Sequence, residues 1–504
     1  MDEPEILDRF DRIQSKLADF WKAPDDPNRA PQTIFVIPSI SYPQSVLGML
    51  ESVQQYEERF LILLMLLRNP RARLVYVTSE QILPNVVDYY LHLLPGVIPS
   101  HARERLFLVP VFDASMRPLS EKLLERPRLL KRLRELAIDP DRSYIMPFNT
   151  TRLERELAVN LGIPLLGADP KFLPFGTKSG CRRLFAEEGV RHPAGFEDLA
   201  GMSDVTRAIT KLRAEKPGLD RVLVKTNEGV SGWGNALIDL TELPQPGTPG
   251  EAGAVEHALR AQIGDKYPAF EAQFDIEGGI VEEMVSGDRV RSPSAQMQID
   301  PLGGVLMLST HDQLLAGQVY QGCQFPADPA YAVQITEEAA KIGRRLAKEG
   351  VVGRAAIDFV CVHDKAGWKA YAIELNLRQG GTTHPFLTLQ FLTDGRYVPE
   401  QGIFVAPNGR QKFFVASDHV ESPQYRGLTS DDLFDIAVRH RLHFDHASQT
   451  GVVFHMMSAL SHIGRTGLTA VADSPQEAQW TYEAVVRVLD AEAAGAFVER
   501  VPFG

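Results

Sequence analysis

Residues 355–362, AAIDFVCV, and 371–378, YAIELNLR, are two apolar runs that each carry an acid where a packed core would reject one. An unpaired buried carboxylate is costly, so Asp358 and Glu374 need a reason to be there. They lie 374 − 358 = 16 positions apart, a separation that lets adjacent antiparallel strands bring both acids to one end of a site. Asn376 follows Glu374 by two positions, so both side chains face the same side of their strand. Two carboxylates and an amide carbonyl are hard oxygen ligands of the kind that join magnesium to substrate phosphates. An ion pair between Glu374 and a base at the strand edge would account for the same acids without a metal.

Upstream, residues 221–235, RVLVKTNEGVSGWGN, place Lys225 at the end of a strand and before a loop with Gly229, Ser231, Gly232 and Gly234. Such a loop can fold backbone N–H groups over phosphates while a lysine supplies a point charge. The spacing is neither the P-loop nor the dinucleotide signature, and a flexible turn remains the plain alternative. Residues 281–287, VEEMVSG, form a short strand with adjacent acids. It could serve as a connector for an adenine ring, with Glu282 accepting from the amino group and Glu283 and Val285 offering main-chain contacts, although adjacent glutamates are also ordinary on a surface.

Around these segments the chain reads as a mixture of α/β and α+β domains. From residue 33 to 166, apolar runs at 33–37, 74–78, 106–111 and 163–166 alternate with helical patterns at 44–67 and 121–136, which implies a parallel α/β layer. Beyond Asp169 and Pro170 come a helix at 178–188 and a strand at 222–226. Further strands are predicted at 279–285, 294–299, 305–309, 355–362 and 369–374, with a helix at 335–349. Helices at 433–438 and 476–489 belong to a last block. The expected domains are residues 1–170, parallel α/β; 171–400, the unit with the acids and Lys225; and 401–504, an α+β C-terminal domain.

The 504 residues carry a formal charge of −12, which would repel a phosphate backbone and argues against nucleic acid as a general partner. Three cysteines without metal-type spacing make a disulfide framework unlike this chain and favour a reducing cytoplasm. The most apolar stretch, 60–67, is far short of the roughly 20 residues that cross a bilayer, so no membrane span is expected. A small-molecule substrate fits best.

The ordered set of a helix with basic residues, a strand lysine before a glycine-rich loop, an acidic hinge, and then Asp and ExN resembles the ATP-grasp superfamily over about residues 171–399. The segments RSPSAQMQI (291–299), LSTHDQLLAGQVYQGCQFPA (308–327), ELNLRQGGTTHP (374–385), YRGLTSDDL (425–433) and GVVFHMMSAL (451–460) resemble the pheganomycin-type peptide ligases. The resemblance implies ATP and Mg2+ as cofactors, and a small-molecule carboxylate with an amine or peptide as substrates. The product would be an amide, formed through an acyl phosphate. It implies Lys225, with Lys178 or Arg182, as phosphate contacts beside Ser231 and Gly232, and Glu282, Glu283 and Val285 as the adenine hinge. Asp358, Glu374 and Asn376 would hold the metal. A homodimer is compatible with this reading.

Arg378 is the expected catalytic group beside Lys225, and Arg291, His311 and Arg378 are candidate substrate contacts, because arginine can clamp a carboxylate in bidentate fashion. The chain departs from the pattern of relatives at Thr177, where an Asp precedes the lysine in many of them, at Arg289, where some use an acid for ribose, and at Ala356, where some have arginine. A small-molecule kinase and a non-catalytic nucleotide-binding protein are the alternatives.

Overall fold

The computed structural model describes residues 2–22, 31–48, 53–229, 234–317 and 319–495. Strands β1 (Gln32–Ile37), β2 (Ala72–Thr78), β3 (Leu106–Pro110) and β4 (Ser143–Pro147) form a parallel sheet in the order β3-β2-β1-β4. Five of the six residues of β1 are buried, as expected of a strand covered on both faces.

The fourth strand is not the run at 163–166. That run contributes one parallel bridge, Ile145 to Leu165, because the helix Arg152–Leu161 ends on Gly162 in the left-handed region and Pro164 has no N–H to donate. The helical pattern at 44–67 resolves into the helices Gln44–Leu47 and Val53–Tyr56 and the 3-10 segment Glu57–Arg68, with residues 49–52 outside the described ones. The pattern at 121–136 divides into Leu119–Leu124 and Pro127–Leu136, because Pro127 starts a new helix at its first turn.

Strands β5 (Gly195–Leu199), β6 (Arg221–Thr226), β7 (Asn235–Asp239) and β8 (Gly279–Glu283) form an antiparallel sheet in the order β5-β8-β6-β7. Val222, Val224 and Val281 point into a core made with the helices Met202–Glu215, Glu251–Ile263 and Tyr267–Glu277. The opposite parity, including Lys225 on β6 and Glu282 on β8, is thereby left on the other face. β8 ends at Glu283, so Val285 lies beyond its ladder.

The large sheet holds β9 (Arg289–Arg291), β10 (Pro293–Ile299), β11 (Val305–Ala316), β12 (Val319–Phe325), β13 (Gly353–Asp364) and β14 (Gly367–Asn376). After the small pair β15 (Arg396–Val398) and β16 (Ile403–Val405), the strands β17 (Phe413–Glu421), β18 (Gly451–His455) and β19 (Arg465–Ala472) continue it. Its order is β14-β13-β10-β11-β12-β17-β19-β18, with β9 paired to β13. Ala355, Ile357, Phe359 and Cys361 of β13 pack with Ala295 and Met297 of β10 and with Ile335, Ala339, Ile342 and Leu346 of the helix Pro329–Glu349. This period-2 burial fixes the register and puts residues 354, 356 and 358 on the opposite face. Among the described residues, no helix is long and apolar enough to cross a membrane, and all three cysteines are free and buried.

Candidate active site

On the polar face of the large sheet, Asp358 pairs directly with Glu374, and Ala356 with Asn376, across β13 and β14. The Asp358 carboxylate accepts from Gln313 Nε2 at 2.7 Å through Oδ1 and from Asn376 Nδ2 at 3.0 Å through Oδ2. Burial pushes its pKa up to about 6, and the neighbouring Glu374 charge acts in the same direction. Glu374 behaves oppositely. Burial would raise it, but Lys178 Nζ at 2.6 Å from Oε1 outweighs burial and holds the carboxyl below its usual range. Lys178 in turn is held above its ordinary value, the Glu374 charge overcoming desolvation. It stands at the first position of the helix Lys178–Glu187, whose start is fixed by Thr177 Oγ1 accepting from Gly180 N at 3.0 Å.

The second cluster lies on the smaller antiparallel sheet. Glu282 is 1% exposed; Lys225 Nζ holds its Oε1, while Arg182 Nη1 holds its Oε2 at 3.2 Å. Arg182 also reaches Glu197 Oε2 at 3.2 Å and Pro193 O at 2.9 Å. Lys178, Lys225 and Arg182 are therefore all buried and all paired to acids. Glu282 directs its carboxylate to Lys225 and Arg182.

Glu283 uses Oε1 to accept from Ala194 N at 2.8 Å and Oε2 to meet Lys216 Nζ at 2.5 Å, and its own N–H donates to Ala194 O. Its side chain thus ties β8 to the segment before β5. Ser231 and Gly232, together with Trp233, fall outside the described residues.

Arg378 follows the end of β14, donating from Nη1 to Gln379 O at 3.1 Å with its guanidinium 5.8 Å from the centre of the Phe148 ring. It extends the same face as Glu374 and Asn376. His311 is fully buried, its ring centre 5.1 Å from that of Phe325 and 5.8 Å from that of Phe414, and desolvation drops its pKa to about 3, so it is a neutral ring sealed among aromatics. Arg291 is not brought to the acids. It is exposed, and its strand partner is Cys361, whose side chain belongs to the apolar face.

Three polar residues on the acid face escaped the sequence reading: Gln313 and Ser294, which both bond Asp358, and Arg354, four positions before Asp358 on β13. Strand parity was the signal for Ser294 and Arg354, since residues two apart share a face.

A family model described as "IQCH-like, ATP-grasp" matches residues 173–248 and 254–397, and one described as "PGM1 C-terminal domain" matches residues 432–485. The L-propargylglycine–L-glutamate ligase of Streptantibioticus cattleyicolor is 29% identical over 458 residues, which span 88% of this chain and 92% of that protein. The IQ motif-containing protein H of Danio rerio is 26% identical over 421 residues, 74% of this chain but 39% of that longer protein.

Among solved structures, the biotin carboxylase domain of Hydrogenobacter thermophilus 2-oxoglutarate carboxylase, in complex with MgADP, ADP and bicarbonate, superposes with a TM-score of 0.55 at 13% identity, covering 94% of this chain and 97% of that one. Biotin carboxylase from Campylobacter jejuni gives a TM-score of 0.53 at 14% identity, covering 92% of this chain and 94% of that one. At such identities these two structures speak to the fold. The family model and the order of Lys225, Glu282, Asp358, Glu374 and Asn376 agree that residues 173–248 and 254–397 carry an ATP-grasp domain, in a chain similar over most of its length to an amino-acid ligase.

Proposed function

We propose that this chain joins two amino acids, or an amino acid and a peptide, by activating a carboxylate with ATP as an acyl phosphate. The observation that carries the reading is the direct pairing of Asp358 with Glu374, with Asn376 one step along the same face and Lys178 on Glu374. The likeness to a ligase whose name contains two amino acids supports amino-acid substrates. Three free buried cysteines support a reducing cytoplasm as its location.

Asp358, Glu374 and Asn376 fit magnesium by donor chemistry, being two carboxylates and an amide whose oxygen is hard. Bound there, Mg2+ would neutralise phosphate charge during transfer. Lys225 and Lys178 would exchange an acid partner for a phosphate oxygen, so that two cations already held in place by Glu282 and Glu374 meet the charge that develops. β8 and the residues after it would offer main-chain groups to the base.

In the first step the substrate carboxylate oxygen attacks the γ-phosphorus, the bond to the β-phosphate oxygen breaks, and ADP leaves. In the second the amine nitrogen attacks the acyl carbon, phosphate leaves and the nitrogen loses a proton. Arg378, beyond Asn376 on the same face, would hold the oxyanion of that second step. The three expected units would divide the work, residues 171–400 holding nucleotide and metal, and residues 1–170 and 401–504 closing the substrate side. A screen of amino acids, singly and in pairs, for ADP release with mass analysis of products tests this. An amide-linked product supports the reading, and ADP formation with only a phosphorylated product rejects it.

A further inference from the structure

The polar face of β13 and β14 continues past the paired acids. The ladder runs Asp358 to Glu374, then Ala356 to Asn376, and the same antiparallel register carried one step further sets Arg354 opposite Arg378. From the other side, β10 presents Gln298 opposite Arg354. Four residues along a strand are about 13 Å, so Arg354 begins well away from the acids that would meet the triphosphate.

The Arg354 side chain is half-buried and lacks the carboxylate that four buried arginines hold. Arg59 holds Asp418 at 2.9 Å, Arg155 holds Asp169 at 2.7 Å, Arg182 holds Glu282 at 3.2 Å, and Arg213 holds Glu251. Arg354 has no carboxylate among the described residues, and its Nη1 is sealed from solvent without a hydrogen-bond partner. Desolvation pulls its pKa down to about 10, with no opposing anion. A cationic nitrogen sealed from water without a partner is unfavourable, and a ligand anion would relieve it.

The fold also builds a place for that anion. Gly353, at φ 109°, lies so close to Gly167 that a Cβ would sit 2.8 Å from the Gly167 Cα, which brings the start of β13 against the segment that follows the helix Arg152–Leu161. Between them is a cavity of about 30 Å³ lined by Arg354, Arg378, Gln298, Gln379, Asn149 and Phe148. One water needs roughly 10–15 Å³ on the same measure, so the space suits two oxygen-sized atoms, as in one carboxylate. Gln379 Oε1, also at this cavity, is a buried acceptor without a partner, which an ammonium or amide N–H beside that carboxylate would satisfy.

We propose that Arg354 forms a subsite for the carboxylate of a substrate amino acid or peptide that does not react, fixing which carboxyl reaches Arg378 and the acid pair. This rests on the ligase reading above. Two parallel N–H···O bonds from a guanidinium give both affinity and orientation, and a charged hydrogen bond contributes about 1.5–3 kcal/mol. A substrate whose non-reacting carboxylate is replaced by a carboxamide should therefore lose roughly 10- to 100-fold in kcat/KM.

The test uses the full chain, the amino-acid pair that supports turnover in the screen, and the carboxamide of each partner in turn. In the wild type, one of the two carboxamides should be disfavoured by at least about tenfold, which also tells whether the acid or the amine partner occupies the subsite. In Arg354→Gln that preference should fall to within about threefold with KM for ATP unchanged, and Arg354→Lys should restore part of it. The melting temperature of Arg354→Gln should stay level or rise, because no protein partner is lost, whereas a structural arginine would lower it. An undiminished preference in Arg354→Gln, or an equal loss of ATP affinity, overturns the proposal. If no pair supports turnover, the ligase reading fails by itself, and the subsite is read from melting with the same amino acids: a rise in the wild type that Arg354→Gln lacks supports it, and equal shifts or none overturn it.

Discussion

Replacing Lys225 by methionine keeps most of its aliphatic stem in place and removes one of the two cations on Glu282. Lys225 is 5% exposed, so the change is felt in a dry environment. A buried carboxylate stripped of its only partner would destabilise the fold by about 3–5 kcal/mol. Here Arg182 still holds the other Glu282 oxygen at 3.2 Å, and the loss should be smaller, about 1–3 kcal/mol.

Nucleotide binding has no such reserve. A charged hydrogen bond to a phosphate oxygen is worth about 1.5–3 kcal/mol, which at 1.4 kcal/mol per decade raises the Kd for ATP roughly 10- to 100-fold. Calorimetric titration of ATP, with denaturant melts in parallel, separates the two effects. Lys216→Met is the control, because Lys216 is a more exposed cation paired with Glu283; its ATP affinity should stay within about twofold. A Lys225→Met protein that binds ATP as the wild type does would refute the assignment of Lys225 to the phosphates.

Glu374→Gln should suppress turnover by at least about 100-fold while changing ATP affinity less than tenfold, since it removes a metal charge and keeps the shape; turnover against magnesium concentration checks this, and an unchanged curve rejects Glu374 as a ligand. Glu58 is 6% exposed, and burial raises its carboxyl to about 7, against the N–H of Ser458 that donates to Oε2 at 3.2 Å. Its folded pKa lies above the ordinary 4.5, so the folded state binds more protons than the unfolded one between about pH 4.5 and 7, and the group's contribution to stability falls as pH rises through that window. Glu58→Gln should therefore gain on the wild type by up to about 3 kcal/mol between pH 5 and 8, as read from denaturant melts; a gap independent of pH removes the argument.

The acid pair was legible because strand geometry alone constrains it: 16 intervening steps and a period of two leave few ways to place Asp358 and Glu374 on adjacent strands, and the structure pairs them directly. Glu282 and Lys225 follow the same logic, since Leu223 lies opposite Glu282 and Lys225 opposite Ile280, which puts both polar side chains on one face. Local patterns were weaker guides where chain breaks compete with periodicity. Pro127 divides one helix into two, Glu57–Arg68 winds as a 3-10 segment despite an apolar helical pattern, and the short SYIMP run became β4 while residues 163–166 did not.

What no local pattern held was the docking of one element on another. The pairing of Lys178 with Glu374 depends on a helix 196 positions away from its partner meeting the end of β14. Strand parity puts Arg354, at the second position of β13, on the acid face, but the cavity beside it exists only once the elements dock.

The central claim is that a carboxylate becomes an acyl phosphate on this chain, and hydroxylamine trapping tests it most directly. An acyl phosphate has an electrophilic carbon that hydroxylamine attacks, whereas a phosphorylated hydroxyl does not. With ATP, magnesium and the amino acid found to drive ADP release, added hydroxylamine should yield the hydroxamate of that acid, with ADP and phosphate in equal amounts, and the natural amine should compete with it. ADP formed together with a stable phosphorylated acceptor, and with neither hydroxamate nor amide, would contradict the account.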